Sequence, residues 1–264
     1  DPFDPSRNLI APLLLWPIEL MPGKHLDRWI IKKVPNGKIR LNYALKNWLS
    51  ENKLQLPKEF KQLYFKPKSI NPIYNKAISY LKNRGIDIRD IVKYNIGFCN
   101  DGPYKERVVI PSYDENGLIN YFIARSYKDG PTKYKNPPAD AKSAIGWELY
   151  INWDAPIILV EGVFDALTIK RNVIPLFGKI IHEKLMQKLV RSTVNRIYIA
   201  LDPDAIKNAL KHAELLMSYN KEVYLVELDG KDANEIGFER FLKTIENTEP
   251  LTFQSLLTKK LQLI

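Results

Sequence analysis

Cysteine and histidine are scarce in this sequence of 264 residues, which contains one cysteine and three histidines. The single cysteine, Cys99, cannot form an intrachain disulfide. Structural zinc modules usually take four cysteine or histidine ligands, and His25, His182 and His212 lie far apart in the sequence. We therefore expect no zinc site in this chain.

Long apolar runs are also missing. No run approaches the ~18 residues that a membrane span requires, and no secretory leader pattern opens the sequence. We therefore expect a soluble protein of the cytoplasm with no membrane partner. Acidic residues are the minority, with 30 Asp and Glu against 40 Lys and Arg and a net charge of +10. This excess favours a polyanionic partner, either nucleic acid or an acidic membrane surface.

The sequence suggests four segments. Residues 1–70 form a basic N-terminal segment, with 12 Lys or Arg against 3 Asp or Glu between Lys24 and Lys68. This excess fits a solvated face of an accessory element as well as a nucleic-acid contact surface. The proline-bounded stretch "FKPKSINP" at 65–72 is typical of a linker.

Residues 71–155 are predicted to form a mixed α+β subdomain. "IYNKAISYLKNRG" has apolar residues at helical spacing and ends at Gly85, and "DIRDIVKYN" indicates a second helix capped by Asp87. "RVVIPSY" and "LINYFIARS" are β-type runs joined by "DENG", which predicts a hairpin. The loop "KDGPTKYKNPP" that follows is basic, so it is either solvated or, through its aromatic residue, in contact with bases or phosphates.

Residues 156–250 alternate strongly between strand and helix patterns. The strands "PIILVEG", "VIPLFG", "NRIYIALD" and "KEVYLVEL" are separated by helical segments. Strands connected in this way form a parallel sheet, and we expect helices on both of its faces. The amphipathic tail at 251–264 could bind a partner or pack on the domain, and we expect it to pack.

Carboxylates follow several of these strands. Glu161 ends the first strand, Asp202 and Asp204 follow the third, and Asp232 follows the fourth. The carboxyl ends of parallel strands share one edge of the sheet, so these side chains should converge. Converging carboxylates repel one another unless a cation neutralises them, and Mg²⁺ prefers such oxygen ligands. The sequence therefore predicts a magnesium site, with a purely structural role for the acids as the alternative.

Three motifs carry a family resemblance. "VEGVFDAL", "ALDPDA" and "GKDANE" resemble the signatures of the TOPRIM domain, which is shared by DnaG-type primases, topoisomerases and small nucleases. Upstream, "YLKNRGIDIRDIVKYNIGF", "ERVVIPSYDENGLINYFIARS" and "GPTKYKNPP" resemble the N-terminal half of the primase RNA-polymerase domain. The two parts together cover about residues 75–245. The resemblance implies an α/β fold in which a TOPRIM parallel sheet flanked by helices follows the mixed subdomain.

The resemblance also implies roles for residues that match the family's motifs. Glu161, Asp202 and Asp204 match catalytic residues that bind Mg²⁺ or Mn²⁺, with Asp232 as a further metal ligand and Asp165 as a supporting acid. The residues expected to contact the nucleotide or the template are Arg107, Arg125, Lys133, Tyr134 and Asn136.

The implied function is a DNA primase, a DNA-dependent RNA polymerase that makes short RNA primers on single-stranded DNA from ribonucleoside triphosphates. Its implied partners are a replicative helicase and a zinc-binding module, in the same chain or a separate one. The alternatives are a metal-dependent TOPRIM nuclease and a nucleic-acid-binding module without catalysis.

Two features depart from the general family pattern. Asn234 stands where many members have a second acid, so the last part of the metal site depends on Asp232. "KDANE" is the form typical of phage and organellar primase-helicases. If the protein is encoded by a phage, the expected location is the host cytoplasm. The sequence has no G-x-x-x-x-G-K-[ST] phosphate loop, so it contains no helicase motor.

Overall fold

The computed structural model describes residues 32–33, 39–40, 54–228 and 233–263. The chain divides into two compact units, Asp1–Lys53 and Leu54–Ile264. In the first unit, β1 (Lys32–Lys33) pairs in antiparallel orientation with β2 (Ile39–Arg40). Most of the basic segment predicted at 1–70 lies outside the described residues, and its nucleic-acid role stays a prediction.

An antiparallel sheet of four strands begins the second unit, in the order β3-β4-β5-β6. Its strands are β3 (Phe60–Gln62), β4 (Gly97–Cys99), β5 (Arg107–Tyr113) and β6 (Ile119–Ser126). Helices α1 (Pro72–Asn83) and α2 (Ile88–Lys93) connect β3 to β4. Two 3₁₀ turns, Ala141–Ser143 and Glu148–Tyr150, follow β6. The predicted mixed subdomain thus has the expected helices followed by a hairpin.

The local sequence explains where these elements begin and end. The Asn71 side chain caps α1 by accepting hydrogen bonds from the backbone N–H groups of Ile73 and Tyr74 at 3.0 and 3.1 Å. The chain leaves the helix at Gly85, whose φ of +71° suits glycine. Asp87 forms a capping box with Asp90 at the start of α2, as predicted.

A parallel sheet of four strands forms the rest of the unit, in the order β10-β9-β7-β8. Its strands are β7 (Ile157–Val160), β8 (Val173–Pro175), β9 (Arg196–Ala200) and β10 (Glu222–Leu225). The crossover helices are α3 (Val163–Ile169), α4 (Glu183–Arg191) and α5 (Ile206–Ser218). Three further helices follow β10, namely α6 (Ala233–Ile236), α7 (Phe238–Asn247) and α8 (Phe253–Leu261). The predicted parallel sheet is confirmed.

Both faces of this sheet are covered, as expected. Ile158 and Val160 of β7 belong to one hydrophobic cluster, which they share with α3, α7 and the antiparallel sheet. Ile157 and Leu159 point to the opposite face and pack in a second cluster with α4, α5 and α8. The alternation of side chains along a strand explains this division. Each fully buried aliphatic side chain contributes about 1.5 to 3 kcal/mol, so both clusters are substantial.

The C-terminal tail packs on the second cluster. Leu256 of α8 is 2% exposed within it, and the backbone N–H of Leu251 donates a 2.7 Å hydrogen bond to the Val223 carbonyl. The expectation that the tail packs is therefore confirmed for the described part of 251–264. Among the described residues, none of the helices has the length and apolar character needed to cross a membrane.

Candidate active site

Three carboxylates meet at the carboxyl edge of the parallel sheet. Glu161 follows β7, and Asp202 and Asp204 follow the neighbouring strand β9, where the chain enters a 3₁₀ turn at Pro203–Ala205. The two strands end at the same level because Val160 pairs with Ala200. Each of the three side chains offers one oxygen atom, and these atoms all lie within 4.8 Å of one another. The convergence expected from the sequence is therefore present for these three residues.

The electrostatics of this cluster are unfavourable for the charged form of Glu161. Partial burial, and next the negative charge of Asp202, raise the pKa of the Glu161 carboxyl to about 7. Two contacts act in the opposite direction: the Asp202 backbone N–H donates to Glu161 Oε1 at 3.0 Å, and the Lys179 ammonium lies nearby. Lys179 forms an ion pair with Asp204. On balance, burial and the neighbouring carboxylates outweigh these two contacts, so the ionised form of Glu161 is disfavoured.

The donor set fits a hard divalent cation. All three groups are carboxylates, the oxygen ligands that Mg²⁺ and Mn²⁺ prefer. Oxygen ligands of one octahedral Mg²⁺ lie within about 4 Å of each other, because each metal–oxygen distance is about 2 Å. The observed spacing is close to this range, and Asp204 is exposed enough to rotate, with 70% of its side chain accessible. The residues present are therefore suited to bind Mg²⁺ or Mn²⁺.

Asp165 lies beside the cluster and makes contacts of a different kind. Its Oδ2 accepts a 3.1 Å hydrogen bond from the Gly162 backbone N–H, which closes the first turn of α3. Its Oδ1 accepts a 3.2 Å hydrogen bond from the backbone N–H of Asn234. Asp165 thus connects the loop that carries Glu161 to the start of α6.

The last acidic motif is described only in part. Asp232, the predicted further ligand, lies outside the described residues, and its role stays a prediction. Asn234 is held firmly: its Nδ2 donates to Thr168 Oγ1 at 2.7 Å, and its Oδ1 accepts from Arg84 Nη1 at 3.0 Å. The Arg84 guanidinium also lies over the Phe164 ring, 4.7 Å from its centroid. Arg84 was not among the predicted site residues, although it follows α1 in the "NRG" stretch of the motif "YLKNRGIDIRDIVKYNIGF".

A basic and aromatic pair lies on the edge of the antiparallel sheet. Arg125 of β6 and Tyr134 form an antiparallel bridge, and the Arg125 guanidinium lies 4.5 Å from the centre of the Tyr134 ring. Arg125 Nε is buried and has no hydrogen-bond partner within the described part of the chain. Burial raises the pKa of Tyr134, while the nearby guanidinium groups of Arg125 and Arg84 lower it. Arg84 therefore lies between this pair and Asn234.

The other predicted contact residues lie on the same loop or support it. Arg107 donates from Nη1 and Nη2 to the carbonyl oxygens of Lys133 and Thr132, at 3.1 Å each. Asn136 hydrogen-bonds the hydroxyl of Tyr121, and its own side chain is exposed. Lys133 is exposed. Arg107 thus shapes the loop, while Lys133 and Asn136 are available on its surface.

The chain is similar in sequence to known proteins, although no family model matches it. It is 29% identical over 177 residues to "Uncharacterized protein MG010" of Mycoplasma genitalium, covering 62% of this chain and 80% of that protein. It is 30% identical over 234 residues to the DNA primase of Aquifex aeolicus, covering 69% of this chain and 47% of the primase. The chain thus spans about half the length of this primase.

The fold is also known from solved structures. A DnaG primase catalytic domain bound to single-stranded DNA superposes with a TM-score of 0.61 at 20% identity, covering 72% of this chain and 78% of that chain. The helix-flanked parallel sheet and the mixed α+β part that precedes it are the fold predicted from the resemblance. The chain therefore has the fold of the DnaG primase catalytic core, and the predicted resemblance to the RNA-polymerase domain of that family is confirmed.

Proposed function

We propose that this protein is a DNA primase, a metal-dependent nucleotidyltransferase that synthesises short RNA primers on single-stranded DNA. The observation that carries the proposal is the convergence of Glu161, Asp202 and Asp204 at the carboxyl edge of a primase-type sheet. Oxygen-only clusters of this kind bind the divalent cations that phosphoryl-transfer enzymes use.

The residues of the site have separable roles in this reaction. When bound, Mg²⁺ or Mn²⁺ would lower the pKa of the attacking 3′-hydroxyl and stabilise the pyrophosphate leaving group. Glu161, Asp202 and Asp204 would hold the cation, together with Asp232 of the last motif. In the metal-free protein, burial and the charge of Asp202 raise the pKa of Glu161 to about 7; a bound cation would lower it, so that Glu161 would be a carboxylate able to accept a proton. Asp165 would keep the Glu161 loop in place through its hydrogen bond from Gly162.

Binding of the template and the nucleotide is assigned to the loop that follows β6. Tyr134 is 47% exposed and offers a ring on which a base can stack, and Arg125 lies against its other side. Lys133 and Asn136 add a positive charge and an amide group on the same loop. The related DnaG domain solved with single-stranded DNA supports this class of template. The net charge of +10 agrees with a nucleic-acid partner.

Initiation and helicase coupling are proposed to need partners. A zinc-binding module and a replicative helicase, in the same chain or in trans, would supply template selection and strand separation. This assignment rests on the family resemblance, and the cytoplasm is the proposed location because replication takes place there.

The test is the extension of an RNA primer annealed to a DNA template, with labelled ribonucleotides and either Mg²⁺ or Mn²⁺. A primed template avoids the initiation step, for which a separate module is proposed. Asp202→Asn keeps the size of the side chain and removes its charge, and Glu249→Gln is the matched control at an exposed position. We expect wild type and Glu249→Gln to extend the primer. Asp202→Asn should lose at least about 100-fold in rate, because even residues that only hydrogen-bond to metal ligands contribute 10- to 100-fold.

Three results would contradict the proposal. If wild type fails to extend the primer with either metal, the chain is not a polymerase. If wild type degrades single-stranded DNA and Asp202→Asn does not, the site is that of a nuclease. Equal extension by wild type and Asp202→Asn would show that the cluster is not the catalytic site.

A further inference from the structure

One cation of the chain is already placed at the candidate metal site. Lys179 lies in the loop after β8, the strand next to β7 in the parallel sheet. The backbone N–H of Gly178 donates a 3.3 Å hydrogen bond to the Glu161 carbonyl, which fixes this loop beside the cluster. The Lys179 side chain then reaches across the edge of the sheet and pairs with Asp204 Oδ2. Three sheet-edge loops, after β7, β8 and β9, therefore contribute to the site.

The ion pair of Lys179 and Asp204 is partly exposed to solvent. The Lys179 ammonium is close enough to interact with all three carboxylates, and its direct partner is Asp204. The Lys179 side chain is 42% exposed and that of Asp204 is 70% exposed, so both have room to move. Exposed ion pairs of this kind are weak, so another cation can displace the lysine.

A lysine and a divalent cation compete for the same oxygen atoms. Mg²⁺ needs its ligands at about 2.0 to 2.1 Å and demands near-ideal octahedral geometry. An ammonium bonded to Asp204 Oδ2 occupies part of the space that the metal requires. It also neutralises part of the negative charge that attracts the metal. The two cations also repel each other at short distance. Occupancy of Asp204 by the metal is thus coupled to release of Lys179.

We propose that Lys179 is a tethered counter-cation of the metal site, which neutralises Asp204 in the absence of metal and is displaced when Mg²⁺ or Mn²⁺ binds. The released ammonium then lies at the edge of the site, where it binds a phosphate group of the incoming nucleotide. Lysine binds phosphates as a compact point charge on a flexible stem, which suits a group that changes partner. This inference rests on the proposed function, because it assumes that Asp204 is a metal ligand.

Removal of the Lys179 ammonium should increase the affinity of the site for the metal. Lys179→Met removes the ammonium but keeps a long side chain, so the metal no longer has to displace a competitor. We expect the variant to bind Mn²⁺ about two- to fivefold more tightly than wild type, the range that corresponds to an exposed ion pair. The Michaelis constant for the ribonucleotide should rise in the same variant, because the phosphate contact is lost. Tighter metal binding and weaker nucleotide use would thus occur together.

The measurement is a titration of the 264-residue chain with MnCl₂ at fixed ionic strength, in which free Mn²⁺ is followed by its electron paramagnetic resonance signal. The control for net charge is Lys207→Met, which removes an exposed lysine three residues after Asp204. The control for charge at the same position is Lys179→Arg. We expect Lys207→Met to shift the affinity much less than Lys179→Met, and Lys179→Arg to remain close to wild type.

The possible results separate this inference from the proposed function. Equal Mn²⁺ affinity in wild type and Lys179→Met, or weaker binding by the variant, would overturn the role of Lys179 and leave the metal site intact. A similar gain in Lys207→Met would reduce the effect to net charge and also overturn it. Absence of Mn²⁺ binding by both wild type and Lys179→Met would overturn the metal site itself, and the role of Lys179 with it.

Discussion

The raised pKa of Glu161 predicts that the metal-free protein is destabilised by its own carboxylate cluster above neutral pH. The pKa is about 7 in the folded protein, against an ordinary value of 4.5. Keeping the carboxylate charged in the fold therefore costs at most about 3 kcal/mol. Because the side chain is only partly buried, solvent screening reduces this cost to about 1 to 2 kcal/mol. Glu161→Gln removes the charge and keeps an oxygen that can accept from the Asp202 N–H.

The sign of the pH dependence follows from the two pKa values. The folded state holds the proton more tightly than the unfolded state, so stability from this group is complete below about pH 4.5 and is lost as the pH rises through about 7. In EDTA at pH 8, Glu161→Gln should exceed wild type by about 1 to 2 kcal/mol, or about 2 to 8 °C in melting temperature. At pH 4.5 the two proteins should melt together.

The assay is thermal or urea unfolding followed by circular dichroism at several pH values between 4.5 and 8. Glu249→Gln is the control, because its side chain is exposed and outside the cluster. Addition of Mg²⁺ at pH 8 should raise the melting temperature of wild type more than that of Glu161→Gln, because ligand binding to the folded state stabilises it. A Glu161→Gln variant that is less stable than wild type in EDTA at pH 8 would refute the reasoning.

Three further predictions concern the surroundings of the site. Phe241→Ala should lower the free energy of unfolding by about 3 to 5 kcal/mol in a urea titration, because Phe241 of α7 is fully buried in the first hydrophobic cluster. Arg84→Met should weaken Mn²⁺ binding about tenfold, because Asn234 loses the hydrogen bond that it accepts from the Arg84 guanidinium. Arg125→Gln should weaken binding of single-stranded DNA and reduce the salt slope by about 0.7, measured by fluorescence anisotropy.

Each of these predictions has a result that contradicts it. A Phe241→Ala loss below about 1 kcal/mol would mean that the site collapses without leaving a cavity. Unchanged Mn²⁺ affinity in Arg84→Met, at a melting temperature equal to or below that of wild type, would restrict Arg84 to a structural role. An unchanged salt slope in Arg125→Gln would place the phosphate contact elsewhere on the basic surface.

The regular elements were predictable because their sequence patterns agree with their burial. Strands β7 and β8 of the parallel sheet are continuous apolar runs and are fully buried, while β9 and β10 each begin with a charged residue that precedes a mostly buried run. The hairpin between β5 and β6 was predicted from "DENG", and Gly117 takes a φ of +75° there. Strands β3 and β4 were not predicted, since each has three residues and too few to show an alternating pattern.

Residues of the candidate site were predictable from the sequence only where they follow the end of a strand. Glu161, Asp202 and Asp204 follow strands whose carboxyl ends share an edge, so their convergence follows from topology. Arg84 and Lys179 lie in loops, and their partners Asn234 and Asp204 are distant in sequence. Periodicity contains no information about such contacts. Asp232 and the basic segment at 1–70 stay predictions, because most of the segment and the loop of Asp232 lie outside the described residues.

The hydrophobic cluster shared by the two sheets has a consequence for protein engineering. The predicted boundary at residues 155 and 156 separates two sets of sequence motifs, yet Val160 of β7 and Ile110 of β5 belong to the same buried cluster. A fragment that begins at residue 156 would expose that face of the parallel sheet to water, and exposed apolar patches promote aggregation. The smallest fragment worth expressing therefore begins near Leu54, where the compact unit starts. The parallel sheet with its carboxylate cluster should therefore be moved into another protein only together with the antiparallel sheet that shares its hydrophobic cluster.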